Sequence, residues 1–127
     1  MKTFESEEMY LETILILQQK NAAVRSIDIA RELNYSRPSV SRGVNLLQKK
    51  GFIAIEKNGL IRFTETGKAK AESVYERHRV ITELLVSTGA DRELAEENAC
   101  RIEHVISEEM FEILKKYVIE RKGEESC

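Results

Sequence analysis

The sequence predicts a mainly α-helical protein that opens with a winged helix-turn-helix and closes with an all-helical segment. Three observations carry that expectation. Apolar residues recur at helical spacing along most of the chain. The stretch SIDIARELNYSRPSVSRGVNLLQKKG, from Ser26 to Gly51, reads as two short helices around a tight turn. FIAIEKNGLIRFTETG follows, and its two β-rich runs surround Asn58-Gly59, the strongest short-range hairpin signal a sequence offers.

Each element has a local cause. Ser6 is placed to cap a first helix running to about Lys20, with Glu7 and Glu8 near its positive end and Tyr10, Leu11, Ile14, Leu15 and Leu17 on its apolar face. Ser26 caps a short helix through Leu33, and Asn34-Tyr35 makes the turn. Ser36 caps the next helix, with Arg37 and Pro38 in its first turn, where proline forfeits no hydrogen bond. That helix buries Val40, Val44 and Leu47 and stops at Gly51.

Beyond the hairpin, a long helix capped near Thr64 runs to Gly89 with the stripe Val74, His78, Ile81 and Leu85. Asp91 caps a helix through Ile106 whose core face is Leu94, Ala95, Ala99, Ile102 and Ile106. Ser107 caps the last helix, which runs to about Arg121, with Ile106 and Phe111 as a hydrophobic staple. The expected organisation is a winged helix over residues 1–70, a helical domain over 71–122 and a frayed, disordered tail over 123–127.

Composition narrows the class. One proline and six glycines in 127 residues argue against low complexity and long linkers. The start MKTFESEE lacks an apolar leader core, and no run approaches the ~18 apolar residues that span a bilayer. A soluble, cytoplasmic chain without membrane contact is expected. Its two cysteines lie far apart in sequence, which disfavours a disulfide framework.

The formal charge of −2 conceals an uneven distribution. Residues 36–70 carry eight basic groups against Glu56 and Glu65, a net +6, whereas residues 71–127 carry eight basic and fourteen acidic groups, a net −6. A basic middle on an acidic chain suggests a local polyanion contact. The helix from Ser36 presents small polar residues and arginine on one face and aliphatic residues on the other, as a helix seated in a major groove requires. Ser39, Ser41 and Arg42 can reach base edges, arginine being suited to bidentate contact with guanine. Lys57 and Arg62 flank the hairpin tip, where a wing meets phosphates. A winged helix that binds only protein is the blander reading, and the basic bias weighs against it.

NACRIEHVISEEM, from Asn98 to Met110, holds one of the two histidines and one of the two cysteines. With Glu96, the residues Cys100, Glu103 and His104 recur at i, i+4, i+7 and i+8, within about one quadrant of a helix. A thiolate, carboxylates and an imidazole there make a partial metal site. A buried cysteine beside a surface glutamate and a structural histidine is the plainer alternative. No CxxC pair accompanies them, as a zinc knuckle needs, and no oxyanion loop, as a cysteine nucleophile needs.

SEEMYLETI near the start, the winged helix, RHR around His78 and ACRIEHVISEEM together resemble the diphtheria toxin repressor family, over residues 5–120. The resemblance implies a metal-activated transcriptional repressor of iron or manganese homeostasis, not an enzyme. It implies that Met9 joins Cys100, Glu103 and His104 around one metal, and that His78 belongs to an ancillary site. Manganese-type members have Asp where this chain has Met9 and Glu where it has Cys100; they retain Glu12 and use it with His78 in a two-metal cluster. This chain is mixed: Met9 and Cys100 match the iron type and Glu12 the manganese type. Glu96 stands where the iron type has an ancillary histidine, and Thr82 where it has a glutamate. The SH3-like third domain of many iron-type members is expected to be absent.

Two sulfur ligands favour Fe(II) over Mn(II), while Co(II), Ni(II) or Zn(II) can substitute in vitro. A homodimer reading an inverted-repeat operator in double-stranded DNA is implied, the helices from Thr64 and Ser107 forming the interface. Two other readings compete. One is a winged-helix regulator that senses oxidants or a small ligand through Cys100; the other, less favoured, is a metalloenzyme with an incidental winged helix.

Overall fold

A computed structural model describes residues 2–126 of the chain, with side chains for residues 7–122. The order is α1 (Lys2–Lys20), α2 (Ser26–Leu33), α3 (Arg37–Lys49), β1 (Ile53–Ile55), β2 (Ile61–Phe63), α4 (Glu65–Ser87), α5 (Arg92–Ile102) and α6 (Glu108–Ser126). The chain divides into two units, one through Ser73 and the other from Val74 onward, so α4 contributes to both.

In the first unit, the expected turn chemistry is present. Asn34 takes a left-handed conformation, φ 57°, and closes α2 with its N–H donated to the Ala30 carbonyl. Ser36 Oγ then accepts from the Ser39 amide at 3.3 Å and starts α3. β1 and β2 pair antiparallel, Ile53 opposite Phe63 and Ile55 opposite Ile61. The Glu56 amide donates to the Leu60 carbonyl, and Gly59 sits at φ 86°, so the loop is three residues long with glycine at the left-handed position. The hairpin is tied back to the helices. The Ile61 amide donates to the Val24 carbonyl at 2.9 Å, and Gln18 Nε2 donates to the Ile61 carbonyl at 3.1 Å.

The core of this unit is Leu11, Ile14, Val24, Ile29, Val40, Val44, Leu47, Ile53 and Ile61, all buried. Two glycines permit its closest approaches. A Cβ on Gly43 would stand 2.0 Å from the Tyr10 ring, so glycine lets α1 pack directly on α3. A Cβ on Gly67 would stand 1.7 Å from the Phe52 carbonyl oxygen, so the start of α4 rests on main chain. Thr64 fixes that start, accepting from the Gly67 amide at 3.1 Å while its hydroxyl donates to the Gly51 carbonyl at 2.6 Å.

In the second unit, Asp91 Oδ1 accepts from the Leu94 amide at 2.8 Å and caps α5, and Ser107 Oγ accepts from the Met110 amide at 3.1 Å and caps α6. Val74, Ile81, Ala95, Ala99, Phe111 and Val118 are buried.

Several sequence expectations are corrected. α1 starts at Lys2, upstream of Ser6, whose side chain lies outside the described residues. The cap of α2 is Arg25 rather than Ser26, because Asp28 Oδ2 reaches back to accept from the Arg25 amide at 2.8 Å. Leu94 is 52% exposed; the inward face of α5 is Ala95 and Ala99, one turn apart, and Leu94 is rotated about 100° from it. α5 ends at Ile102 instead of Ile106, because a side chain from α4 takes up the carbonyls beyond. α6 continues to Ser126, past Arg121, since no proline stops it and glycine in a helix interior costs only about 1 kcal/mol. Cys127 lies outside the described residues.

The two glycine contacts give a test. Gly67→Ala is expected to lower stability by at least about 1–3 kcal/mol, because the obstructing atom is backbone and cannot turn aside. Urea unfolding reads it, and an unchanged midpoint would contradict the packing.

Candidate metal centre and nucleic-acid face

Cys100 lies in the last turn of α5 and is half-buried. Glu103 is the residue after the helix, still in helical backbone geometry, with its amide donated to the Ala99 carbonyl at 2.9 Å. The chain then tightens: the Val105 and Ile106 amides both donate to the Ile102 carbonyl, at 3.0 Å each, before Ser107 starts α6. The turn leaves His104 beside Glu103. One donor atom from each of Cys100, Glu103 and His104 lies within 4.8 Å of the others.

The electrostatics of the cluster centre on Glu103, whose side chain is 0% exposed. Its Oε1 is 3.4 Å from His104 Nε2 and its Oε2 is 3.4 Å from His78 Nδ1 on α4. Neither oxygen accepts a hydrogen bond, so these are close approaches outside hydrogen-bond geometry. A buried carboxylate without donors is expensive, of the order of several kcal/mol. A divalent cation, taking carboxylate oxygen, thiolate and imidazole donors, relieves that cost. The donor set fits such an ion.

The convergence stops short of Glu96, which is exposed and outside the converging groups among the described residues. His78 is half-buried, and Thr82, one turn further along α4, is buried with Oγ1 making no hydrogen bond. On α1, Glu12 is buried and Met9 half-buried. The Met9 sulfur accepts from the Tyr35 hydroxyl at 3.3 Å, and Tyr35 immediately precedes the cap of α3. Tyr35 also stands edge-on to Tyr10, ring centroids 6.3 Å apart. Burial pushes the Tyr10 phenol above its ordinary pKa, with Tyr35 adding to the shift and Arg42 opposing it.

One residue of this region escaped sequence reasoning. Arg77, next to His78 on α4, donates from Nη1 to the Glu103 carbonyl at 3.2 Å and to the Ile106 carbonyl at 3.5 Å. In the sequence it stands only as the first arginine of the RHR around His78, with no contact to the α5–α6 turn signalled there.

On the first unit, the cap Ser36 and Arg37, Pro38, Ser41 and Arg42 of α3 are exposed, as a reading helix needs, and Ser39 is half-buried. The Ser39 hydroxyl lies 2.9 Å from Ser36 Oγ and accepts from Arg42 Nη2 at 3.4 Å, so it is already engaged in a small network. Lys57 is exposed at the wing tip. Arg62 is exposed too but ion-paired with Glu56 at 2.9 Å. Arg25 Nε donates to the Asn58 carbonyl at 3.1 Å and adds a further cation beside the wing, one the sequence reading did not single out.

Two matches follow from comparison with known proteins. Residues 2–60 match the family profile described as "Iron dependent repressor, N-terminal DNA binding domain", and residues 64–122 match "Iron dependent repressor, metal binding and dimerisation domain". The chain belongs to this family of metal-dependent, DNA-binding transcriptional repressors, and the family comprises regulators rather than enzymes. An uncharacterised HTH-type transcriptional regulator of Methanocaldococcus jannaschii is 32% identical over 116 residues, covering 90% of this chain and 93% of that protein. The diphtheria toxin repressor of Corynebacterium diphtheriae is 33% identical over 113 residues, which are 88% of this chain and 50% of that one. This chain thus spans about half the length of that relative. Among solved structures, the manganese regulator SloR superposes with a TM-score of 0.78 at 27% identity, over 88% of this chain and 53% of SloR. No described helix is long and apolar enough to cross a membrane.

If the cluster is a metal centre, a divalent ion at a hundredfold excess over its dissociation constant raises stability by about 2.7 kcal/mol. Thermal melts with and without Co(II) should show that rise in the wild type and lose it in both Cys100→Ala and Glu103→Gln. An undiminished rise in either variant would remove that residue from the ligand set.

Proposed function

We propose that the protein represses transcription when a divalent ion, Fe(II) in preference to Mn(II), is held by Cys100, Glu103 and His104, with Met9 as a further ligand. The observation that carries this reading is the fully buried Glu103 carboxylate, which accepts no hydrogen bond and lies among a thiol and two imidazoles. Bound there, the ion supplies coordination bonds that favour one arrangement of its ligands over others. Cys100 and Met9 offer soft sulfur, which suits Fe(II) better than the harder Mn(II), and Co(II), Ni(II) or Zn(II) are expected to substitute in vitro. Glu12, His78 and Glu96 are proposed as contributors to a second, ancillary site, Glu96 the least supported because it stands apart from the converging donors.

Tyr35 gives Met9 a route to the reading helix. Its hydroxyl donates to the Met9 sulfur, and the next residue caps α3. A change in how the thioether is engaged is thereby felt one residue from the helix that carries Arg42.

The DNA partner is proposed to be an inverted-repeat operator read by two copies of α3. Support for the homodimer comes from α6, where Met110, Ile113 and Tyr117 are exposed at spacings of three and four residues on one face. The alternative, in which Cys100 senses oxidants, leaves the buried Glu103 without a role.

Anaerobic titration of operator binding with each metal tests the reading. Fe(II) is expected to activate at lower concentration than Mn(II), and Met9→Asp combined with Cys100→Glu should move the preference towards Mn(II) by replacing soft donors with oxygen. An unchanged ratio of activation constants would show that selectivity resides elsewhere.

The DNA face has its own test. Arg42→Ala is expected to weaken operator binding by about 1–3 kcal/mol and relax preference at one base position. Lys57→Ala should instead weaken all sequences alike and flatten the salt dependence by about one unit of slope. Fluorescence anisotropy across a salt series separates the two, and identical behaviour would misplace the reading helix.

A further inference from the structure

The turn between α5 and α6 carries two of the three clustered donors, Glu103 and His104, yet it does little to hold its own shape. Its Val105 and Ile106 amides converge on one acceptor, the Ile102 carbonyl. Carbonyls outside a helix need partners of their own, and in this turn those of Glu103 and Ile106 are taken by Arg77 Nη1, at 3.2 and 3.5 Å. The same guanidinium is fixed from other sides. Nη2 donates to Glu108 Oε1 at 3.4 Å in the first turn of α6, and Cζ lies 5.7 Å from the centroid of the Phe111 ring. The Arg77 side chain is 16% exposed.

We propose that Arg77 is a positioning residue for the metal centre: its guanidinium, bridging the Glu103 and Ile106 carbonyls, sets the backbone of the α5–α6 turn and so aims Glu103 and His104 at Cys100. This rests on the reading of those three residues as metal ligands. The adjacency of Arg77 and His78 is part of the device. Arg77 grips the main chain of Glu103, and His78 Nδ1 stands 3.4 Å from its carboxylate, so one dipeptide of α4 controls both ends of the same residue. The planar fork lets Nη1 bridge the two carbonyls while Nη2 holds Glu108 in the first turn of α6, a two-sided hold that the single nitrogen of a lysine ammonium does not reproduce.

The test measures Co(II) binding to the full chain by its thiolate-to-metal absorption and by its d–d bands, which report coordination geometry. Wild type and Cys100→Ala come first: a thiolate band in wild type that vanishes in Cys100→Ala supports the ligand reading, and no such band takes both that reading and this proposal down. With the band established, Arg77→Met is expected to weaken Co(II) binding about 10–100-fold, the range typical of outer partners of metal ligands, and to alter the d–d bands. Arg77→Lys should recover only part of the affinity. Val118→Ala, a core truncation on α6, is the control for lost stability alone. Wild-type affinity and spectrum in Arg77→Met would overturn the proposal. So would full rescue by lysine, or an equal loss in Val118→Ala. Failure of both Arg77 variants to fold, read by circular dichroism, would make Arg77 a folding residue and overturn it equally.

Discussion

A carboxylate that is fully buried and receives no hydrogen bond is the constraint on which the second unit turns. Glu103 accepts no hydrogen bond on either oxygen, and each oxygen stands 3.4 Å from an imidazole nitrogen, an arrangement that a bound cation would stabilise. The surrounding architecture serves that placement. α5 stops one residue before Glu103, Asp91 and Ser107 cap the helices on either side, and Arg77 occupies the carbonyls that the stop exposes. Buried ionic groups of this kind are weak evidence for stability and better evidence for a site. Membership of the iron dependent repressor family supplies the class of ligand that such a site serves.

The first unit is organised by a different requirement, close packing beneath the exposed face of α3. Tyr10 lies against Gly43 with no room for a Cβ, and the start of α4 lies on Phe52 with none either. Those contacts hold α3 from below while Arg37, Ser41 and Arg42 face outward. The cations around the wing are not equivalent. Arg62 is paired with Glu56, and a surface pair of this kind is worth only about 0–1 kcal/mol. Lys57 is exposed at the wing tip, whereas Arg25 is anchored to it.

Much of this was legible in the sequence because short-range chemistry dictated it. Asn34, Ser36, Gly51, Gly59, Thr64, Asp91 and Ser107 each mark a boundary through a local hydrogen bond or a left-handed backbone. The spacing of Cys100, Glu103 and His104 was equally legible, although the last two lie in a turn rather than on the helix assumed. What periodicity could not show were interactions between elements. The end of α5 depends on Arg77, some 26 residues earlier in the chain, and no pattern within α5 signals it. Leu94 was assigned to the core because apolar residues at helical spacing usually are, while the two alanines beside it form the inward face. Glu96 shared the right quadrant on an ideal helix, and exposure separates it from the buried donors.

Metal and operator binding are proposed to be coupled through one set of ligands. Coupling between two equilibria is reciprocal: the factor by which metal raises operator affinity must equal the factor by which operator raises metal affinity. The direct measurement is a Co(II) titration of the protein, free and saturated with operator, beside an operator titration at zero and saturating Co(II). Equal factors of about 5–150 are expected in both directions, the usual range for coupled sites. A Co(II) dissociation constant that is the same with and without operator would contradict it.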